Sequence, residues 1–352
     1  MIRGARAIDG ELGDAGPILI WGAGAVGGTI GACLARAGHA VVLVDTAAEH
    51  IAAIDERGLT LEGPIAAFTQ RAPAFTPDRL SGHYRRAILC VKAQHTAAAA
   101  AALRPWLADD GYVVSAQNGL NERVIAEVVG RERTIGAFVN FGADYLGPGR
   151  VVWGGRGAVV VGELDGQFTA RLAALLGALR DFEPGAIATD NVWGYLWGKL
   201  AYGALLFATA LTDDSIADAL AQQPYAALYH ALGAEVLGVA AAEGVRPEGF
   251  NGFDPAAFVA GADPEATRRS LDDMVAHNRR SAKSHSGIWR DLAVRKRRTE
   301  IDAQIAIVAE MAATHGRRTP VIDALVRLVH EIEDGRRPMA LANLDALAAG
   351  MR

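Results

Sequence analysis

The run VWGYLWGKLAYGALLF, residues 192–207, reads as an apolar helix with a single charge, Lys199. Taking an ammonium out of water without a partner costs several kcal/mol, roughly, so a lysine in such a run needs a reason. Two stay open on the residues alone. The side chain snorkels to water past Tyr195 or Tyr202, or it is kept in a cleft for a chemical task. A second stretch, Gly22-Ala23-Gly24-Ala25-Val26-Gly27, has the spacing GxGxxG. It follows an apolar strand and opens a helix, the context in which this spacing predicts a dinucleotide site. Gly22 permits the tight turn, Gly24 lets backbone approach a pyrophosphate, and Gly27 allows the helix to pack close on the strand. The free N–H groups of the helix then face the phosphates.

Asp45 closes the next strand, about twenty residues on, where a carboxylate hydrogen-bonds the adenosine ribose of NAD and repels the extra phosphate of NADP. Its followers Thr46, Ala47 and Ala48 supply no arginine to reverse that preference. Lys92, in AILCVKAQHT, and Asn118, in YVVSAQNGL, each end a further strand. Ligands on such sheets lie beyond the carboxyl ends of the strands. A cofactor or substrate role at these two positions competes with a solvated lysine and a simple Asn-Gly turn.

The elements that must position these residues alternate in the first half. Strands are predicted at residues 17–21, 40–44, 87–91 and 111–115, with helices over 26–37 and 96–107. This rhythm argues for a mostly parallel sheet covered on both faces. Residues 151–162 read as a closing pair of strands turning at Gly154-Gly155. Beyond Asp190 the pattern is helical, over residues 191–211, 225–243, 263–277 and 300–315. A last helix starts with Thr319 as N-cap and Pro320 at its first position and stops at Gly335. The Glu300 helix has Thr299 and Asp302 at its start and Gly316 at its end. The expected organisation is a loose tail over residues 1–16, an α/β Rossmann-type domain with a mostly parallel sheet over 17–189, and an all-α domain over 190–352.

With 352 residues, 51% hydrophobic, the chain is long enough for two cored domains. A net charge of −5 gives no electrostatic reason to expect nucleic acid or an anionic membrane as partner. The basic run Arg295-Lys296-Arg297-Arg298 is short and reads as a solvated helix face or loop. The longest apolar run, residues 200–211, is too short to span a bilayer, and the first residues lack the apolar centre of a signal peptide. Cys33 and Cys90 have no CxxC neighbour, which fits a reducing cytoplasm and speaks against a disulfide framework or zinc site. The nine histidines are scattered, and no metal site is expected.

The ordered set GAGAVG, LCVKAQHT, SAQNGL, VVVGELDG, WGKLAYGALL and RTEID resembles the ketopantoate reductase (2-dehydropantoate 2-reductase) family, from about Pro17 to the last helix. The resemblance implies a Rossmann domain and a helical domain with the active site in the cleft between them. It implies hydride transfer from NADH or NADPH, usually NADPH, to a small 2-oxo acid, and by family habit a homodimer. Lys199 matches the family's general acid, and Glu300 its substrate-holding glutamate. Lys92 and Asn118 match residues beside the nicotinamide ribose and the lysine. Three departures follow. Asp45-Thr46 stands where the family has a basic residue, so the resemblance and the carboxylate disagree about NADPH. Gly203 and Phe207 stand four and eight residues after Lys199, where the family has substrate-binding asparagines. Ser286 or Gly287 stands at the place of the family's serine, with one extra residue between Asp291 and Glu300. Two other readings remain beside this one, a β-hydroxyacid or 6-phosphogluconate-type dehydrogenase and a non-catalytic nicotinamide sensor. The stretches SAQNGL and RTEID speak against the first, and the pair Lys199 and Glu300 against the second.

Overall fold

The computed structural model describes residues 16–280 and 284–351, and it divides into two compact units at Val192/Trp193. The expected tail over residues 1–16 lies outside the described residues, Gly16 apart.

In the first unit an eight-stranded sheet is built from β1 (Ile18–Trp21), β2 (Val41–Val44), β5 (Ala74–Phe75), β6 (Tyr84–Leu89), β7 (Leu107–Ser115), β8 (Thr134–Val139), β11 (Val159–Glu163) and β12 (Ile187–Ala188). A second sheet contains β3 (Leu59–Glu62), β4 (Phe68–Gln70), β9 (Gly142–Gly147) and β10 (Arg150–Gly155). The large sheet runs β12-β11-β8-β7-β6-β1-β2-β5, and every pair in it is parallel except β8 with β11. Its interior strands β1 and β2 are buried along their whole length, which is why they read as unbroken apolar runs. Helices α1 (Ala25–Arg36), α2 (Ala48–Arg57), α3 (Thr96–Leu103), α4 (Asn121–Val129) and α5 (Ala170–Phe182) accompany the sheets.

Two expectations for this unit are corrected. Residues 151–162 are not a strand pair, because β10 joins the small sheet order β4-β3-β10-β9 and β11 joins the large one. The chain changes sheet at Gly157, where any Cβ would collide with the Asn140 carbonyl oxygen, so only glycine fits the crossing. The helix expected over 96–107 stops at Leu103. Pro105, within the tight turn Arg104–Trp106, lacks the N–H that would continue it, and β7 therefore starts at Leu107 instead of Gly111.

The second unit contains α6 (Val192–Thr209), α7 (Ile216–Leu220), α8 (Ala226–Ala242), α9 (Pro264–Arg280), α10 (Gly287–Trp289), α11 (Ile307–Thr314), α12 (Pro320–Glu333) and α13 (Ala342–Ala349). The stretch Gln223–Ala242 is apolar and long enough to cross a bilayer, longer than the run singled out in the sequence; half of it is buried within the structure, as in a core helix. The helix expected over 300–315 opens with wide π-type turns over Asp302–Ala306 before α11 begins. Thr319 stands at the N-cap of α12 but its side chain caps nothing. The work is done by Glu235 of α8, whose two carboxylate oxygens accept from Val321 N–H at 2.9 Å and Ile322 N–H at 2.8 Å. Burial raises the Glu235 pKa, and those two N–H bonds oppose the shift. Replacing Glu235 by Ala leaves both amides without an acceptor. The expected cost is about 1–2 kcal/mol of stability, by analogy with helix caps, with Glu235→Gln intermediate. Urea unfolding followed by circular dichroism measures it, and an unchanged midpoint for Glu235→Ala would exclude the capping role.

Candidate active site

The glycine turn sits between β1 and α1, and each glycine meets a different constraint. Gly22 adopts φ +98, and a Cβ there would lie 2.9 Å from Val91 N, so the turn must be both left-handed and bare. At Gly27 a Cβ would collide with the Gly22 carbonyl oxygen and lie 2.9 Å from Cys90 Cβ and Ile20 Cγ2. Helix α1 therefore lies as close to the sheet as backbone allows. Gly24 differs, since a Cβ there would meet nothing within 4 Å. It is the N-cap of α1, has no side-chain cap, and the first turn holds no carboxylate. Gly24, Ala25 and Val26 are part-exposed, whereas Ala23 is buried. The arrangement leaves N–H groups at a helix start facing open space, the setting that suits a pyrophosphate.

Backbone hydrogen bonds hold the neighbouring strand ends in line with this turn. Gly22 N–H donates to Val44 O at 2.7 Å, Cys90 N–H to Trp21 O at 2.8 Å, and Ala116 N–H to Leu89 O at 3.0 Å. Asp45, Lys92 and Asn118 consequently share the carboxyl edge of the sheet with Gly22–Gly27. Asp45 is part-exposed, and its Oδ1 accepts from Ala47 N–H at 3.0 Å, closing a turn ahead of α2. Lys92 is part-exposed and Asn118 exposed.

Sequence reasoning missed what holds the last two in place. Gln117 Nε2 donates to Val91 O and to Thr96 Oγ1, both at 2.8 Å. The Thr96 hydroxyl has one proton for two acceptors in reach, Ala93 O at 2.8 Å and Asn121 Oδ1 at 2.7 Å. Asn121 Nδ2 in turn donates to Asn118 O at 2.6 Å. Gln117, Thr96 and Asn121 are all at least 95% buried. This network ties the loop that carries Lys92 to the loop that carries Asn118. Thr96 and Gln117 lie inside the stretches AQHT and SAQNGL and Asn121 directly follows the second, but nothing in their spacing marks a contact across 21 residues.

In the helical unit, Lys199 is part-exposed on α6, and so are Gly203 and Leu206. A Cβ at Gly203 would meet nothing within 4 Å, so space is open beside it. Phe207 is fully buried, and the part-exposed residue at that level of the helix is Leu206. Ser286 is buried and caps α10, its Oγ accepting from Trp289 N–H at 3.1 Å. Glu300 is part-exposed between two π-type segments, Arg290–Val294 and Asp302–Ala306.

The Glu300 segment is clamped by carboxylates. Thr299 donates from both N–H and Oγ1 to Glu333 Oε1, each at 2.7 Å, while Arg298 reaches Glu333 at 2.9 Å and Asp334 at 2.6 Å. Arg295 and Arg297 both bond the buried Asp291, at 3.1 and 2.9 Å, with Lys296 turned to φ +47 between them. The basic run is thus a loop, as expected, but three of its four charges hold carboxylates of the same unit. Among the described residues no three His, Cys, Asp or Glu side chains gather as metal ligands.

Comparison with known proteins matches two family profiles to the chain. Residues 18–166 match the one described as ketopantoate reductase PanE/ApbA, and residues 191–333 its C-terminal counterpart. A 2-dehydropantoate 2-reductase of Halobacterium salinarum is 28% identical over 315 residues, 89% of this chain and 97% of that protein. A PanE/ApbA family ketopantoate reductase of Ralstonia eutropha superposes with TM-score 0.76 at 29% identity, covering 91% of this chain and 99% of the other. A D-mandelate dehydrogenase, solved with NADH and anilino(oxo)acetate, shares the fold with TM-score 0.79 at 24% identity, over 91% and 98% of the two chains. The chain belongs to the ketopantoate reductase family.

Gln117→Leu removes the two bonds that Nε2 donates, to Val91 O and Thr96 Oγ1, while keeping most of the side chain's bulk. Buried acceptors left unpaired cost about 1–3 kcal/mol, and of this network only the Thr96–Asn121 bond still ties the loop carrying Lys92 to the loop carrying Asn118. The expected result is a lower melting temperature together with at least a fivefold weaker dinucleotide affinity, about 1 kcal/mol. Titration of NADH fluorescence reads the second; equal affinity in the variant would show that the network serves stability alone.

Proposed function

We propose that this member of the ketopantoate reductase family reduces a 2-oxo acid with an apolar tail to the 2-hydroxy acid, with Lys199 as general acid and NADH as the preferred reductant. The observation that carries the reading is Lys199 itself. It is part-exposed on an otherwise apolar helix, beside open space at Gly203. The residues of the first unit fit a nicotinamide dinucleotide, because the bare Gly24 and the uncapped start of α1 leave N–H groups for its phosphates. When bound, the reduced cofactor supplies a hydride to the substrate's carbonyl carbon.

As that carbon gains the hydride, negative charge grows on the carbonyl oxygen. The Lys199 ammonium stabilises it and then gives it a proton, leaving a hydroxyl and a neutral amine that regains its proton from water. Glu300, its segment clamped by Glu333, orients the substrate and balances the charge of the lysine. Ser286 is a candidate for the substrate carboxylate, since its hydroxyl proton is not consumed by the cap it provides to Trp289. Asn118 and Lys92 serve the nicotinamide end, and Asp45 the adenosine ribose. We place the reaction in a reducing cytoplasm, in keeping with two unpaired thiols, Cys33 and Cys90.

Substrate choice follows from what surrounds Lys199. Gly203 offers room without a donor and Leu206 offers apolar surface, so neither bonds a substrate hydroxyl. A site that bonds a hydroxyl discriminates by roughly 10⁴-fold, and an apolar pocket by much less. This favours branched or aromatic 2-oxo acids over ketopantoate.

Lys199→Ala should lower kcat by about two to four orders of magnitude, the range for loss of a positioned acid with its charge. NADH affinity should stay within about twofold of wild type, a change of roughly 0.4 kcal/mol. Retention of more than about a tenth of the rate, a loss smaller than general-acid catalysis supplies, would exclude Lys199 as the acid. A panel of branched, aromatic and hydroxylated 2-oxo acids, each assayed with NADH and NADPH, tests the rest. The expected order places NADH above NADPH and an apolar oxo acid above ketopantoate. A preference of about a hundredfold for ketopantoate, or for NADPH, some 2.7 kcal/mol, would overturn the corresponding half of the reading.

A further inference from the structure

His50, on the first turn of α2, is 1% exposed and bonded at both ring nitrogens. Gly149 N–H, in the turn between β9 and β10, donates to Nδ1 at 2.9 Å. Nδ1 therefore carries no proton, and Nε2 donates to the Ala23 carbonyl oxygen, also at 2.9 Å. Ala23 is the second residue of the glycine turn. One neutral imidazole thus fastens the hairpin of the small sheet to the dinucleotide loop.

The hairpin brings a ring with it. Tyr145 of β9 packs edge-to-face on His50, with ring centroids 5.2 Å apart and planes at 70°. It is 37% exposed, so part of the ring is open to solvent, and its chain neighbour Leu146 is exposed as well. Gly149 presses on α2, where a Cβ would lie 3.1 Å from Ala53 Cβ, and its carbonyl accepts from Thr60 N–H at 2.9 Å. The hairpin is therefore seated along α2, whose first turn begins three residues after Asp45. The Tyr145 phenol has its pKa raised by partial burial and by the carboxylates of Glu49 and Asp45, in keeping with that location.

We propose that Tyr145 is a cofactor-binding residue whose ring forms one wall of the adenosine subsite, stacking with adenine, and that His50 positions both that ring and the glycine turn. An aromatic face held against a purine stabilises it by about 1–3 kcal/mol. Asp45 and Glu49 then place two carboxylates at the adenosine end, a charge that disfavours a 2′-phosphate. The inference rests on the reading that the Gly22–Gly27 turn holds a nicotinamide dinucleotide.

ADP-ribose, which carries the adenosine half without nicotinamide, is the probe. Its Kd is measured by calorimetry for wild type, Tyr145→Phe and Tyr145→Ala, alongside KM and kcat for NADH. Tyr145→Ala should weaken ADP-ribose about 5- to 100-fold, the range of aromatic stacking, and raise KM for NADH in parallel with a much smaller change in kcat. Tyr145→Phe keeps the stacking face and should restore affinity to within about threefold, a difference of roughly 0.7 kcal/mol. Wild-type binding of ADP-ribose that Tyr145→Ala leaves unchanged would overturn the subsite while leaving the dinucleotide reading intact. Failure of wild type to bind either ADP-ribose or NADH would overturn both.

Discussion

The cofactor half of this protein depends on a single close approach, that of α1 to the sheet at Gly27. No side chain fits between Gly27 and the Gly22 carbonyl oxygen, and Gly28 and Gly31 continue the same tight face, where a Cβ would lie 2.7 Å from the Ala23 oxygen and Leu43 Cδ2 respectively. The approach fixes where the helix begins relative to β1. That in turn fixes the height at which its N–H groups open onto Gly24, the one glycine of the motif whose surroundings are empty. The motif therefore separates two demands on glycine. Gly22 and Gly27 are bare because protein fills the space, and Gly24 because nothing of the protein does.

Around that contact, polar side chains take over where secondary structure ends. The loops after β6 and β7 have no ladder of their own, so Gln117, Thr96 and Asn121 stitch them with bonds of 2.7–2.8 Å and burial above nine-tenths. His50 does the same for the glycine turn and the hairpin, and Glu333 for the segment before Glu300. Each device fixes a loop that carries a candidate functional residue without itself presenting one. Buried bonds of this kind gain their rigidity from the cost of leaving a partner unpaired in a low-dielectric interior, although Gln117 Oε1 itself finds no partner among the described residues.

That division also explains what the sequence reveals. The strand–turn–helix start, the change to helices near residue 190 and the edge shared by Gly22, Asp45, Lys92 and Asn118 follow from local patterns of apolar residues and glycine. The small sheet does not, because β4 is three residues with no buried position and the other partner of β3, β10, lies some 90 residues away. The Glu235 cap was hidden for the same reason, since its contact with α12 spans 86 residues and Thr319 offered a local alternative of the right type. His50 carries no local mark at all. Its meaning lies in two backbone groups, at Ala23 and Gly149, that only the fold brings to its ring.

Helix geometry sharpens the reading of the α6 face. At about 100° per residue, Gly203 stands roughly 40° and Leu206 roughly 20° to either side of Lys199, whereas Phe207 stands about 80° away. Spacing of i+4 and i+8 along a helix drifts off a face, and by the second step the side chain has turned into the core. Burial agrees, with Gly203 and Leu206 part-exposed and Phe207 enclosed. The part-exposed residue two turns beyond Lys199 is then an aliphatic one, and Phe207 lies behind it as packing. A leucine and a bare glycine beside the lysine give a surface with room and no directional bond. Any discrimination at that surface has to come from shape, because neither residue offers a side-chain donor or acceptor.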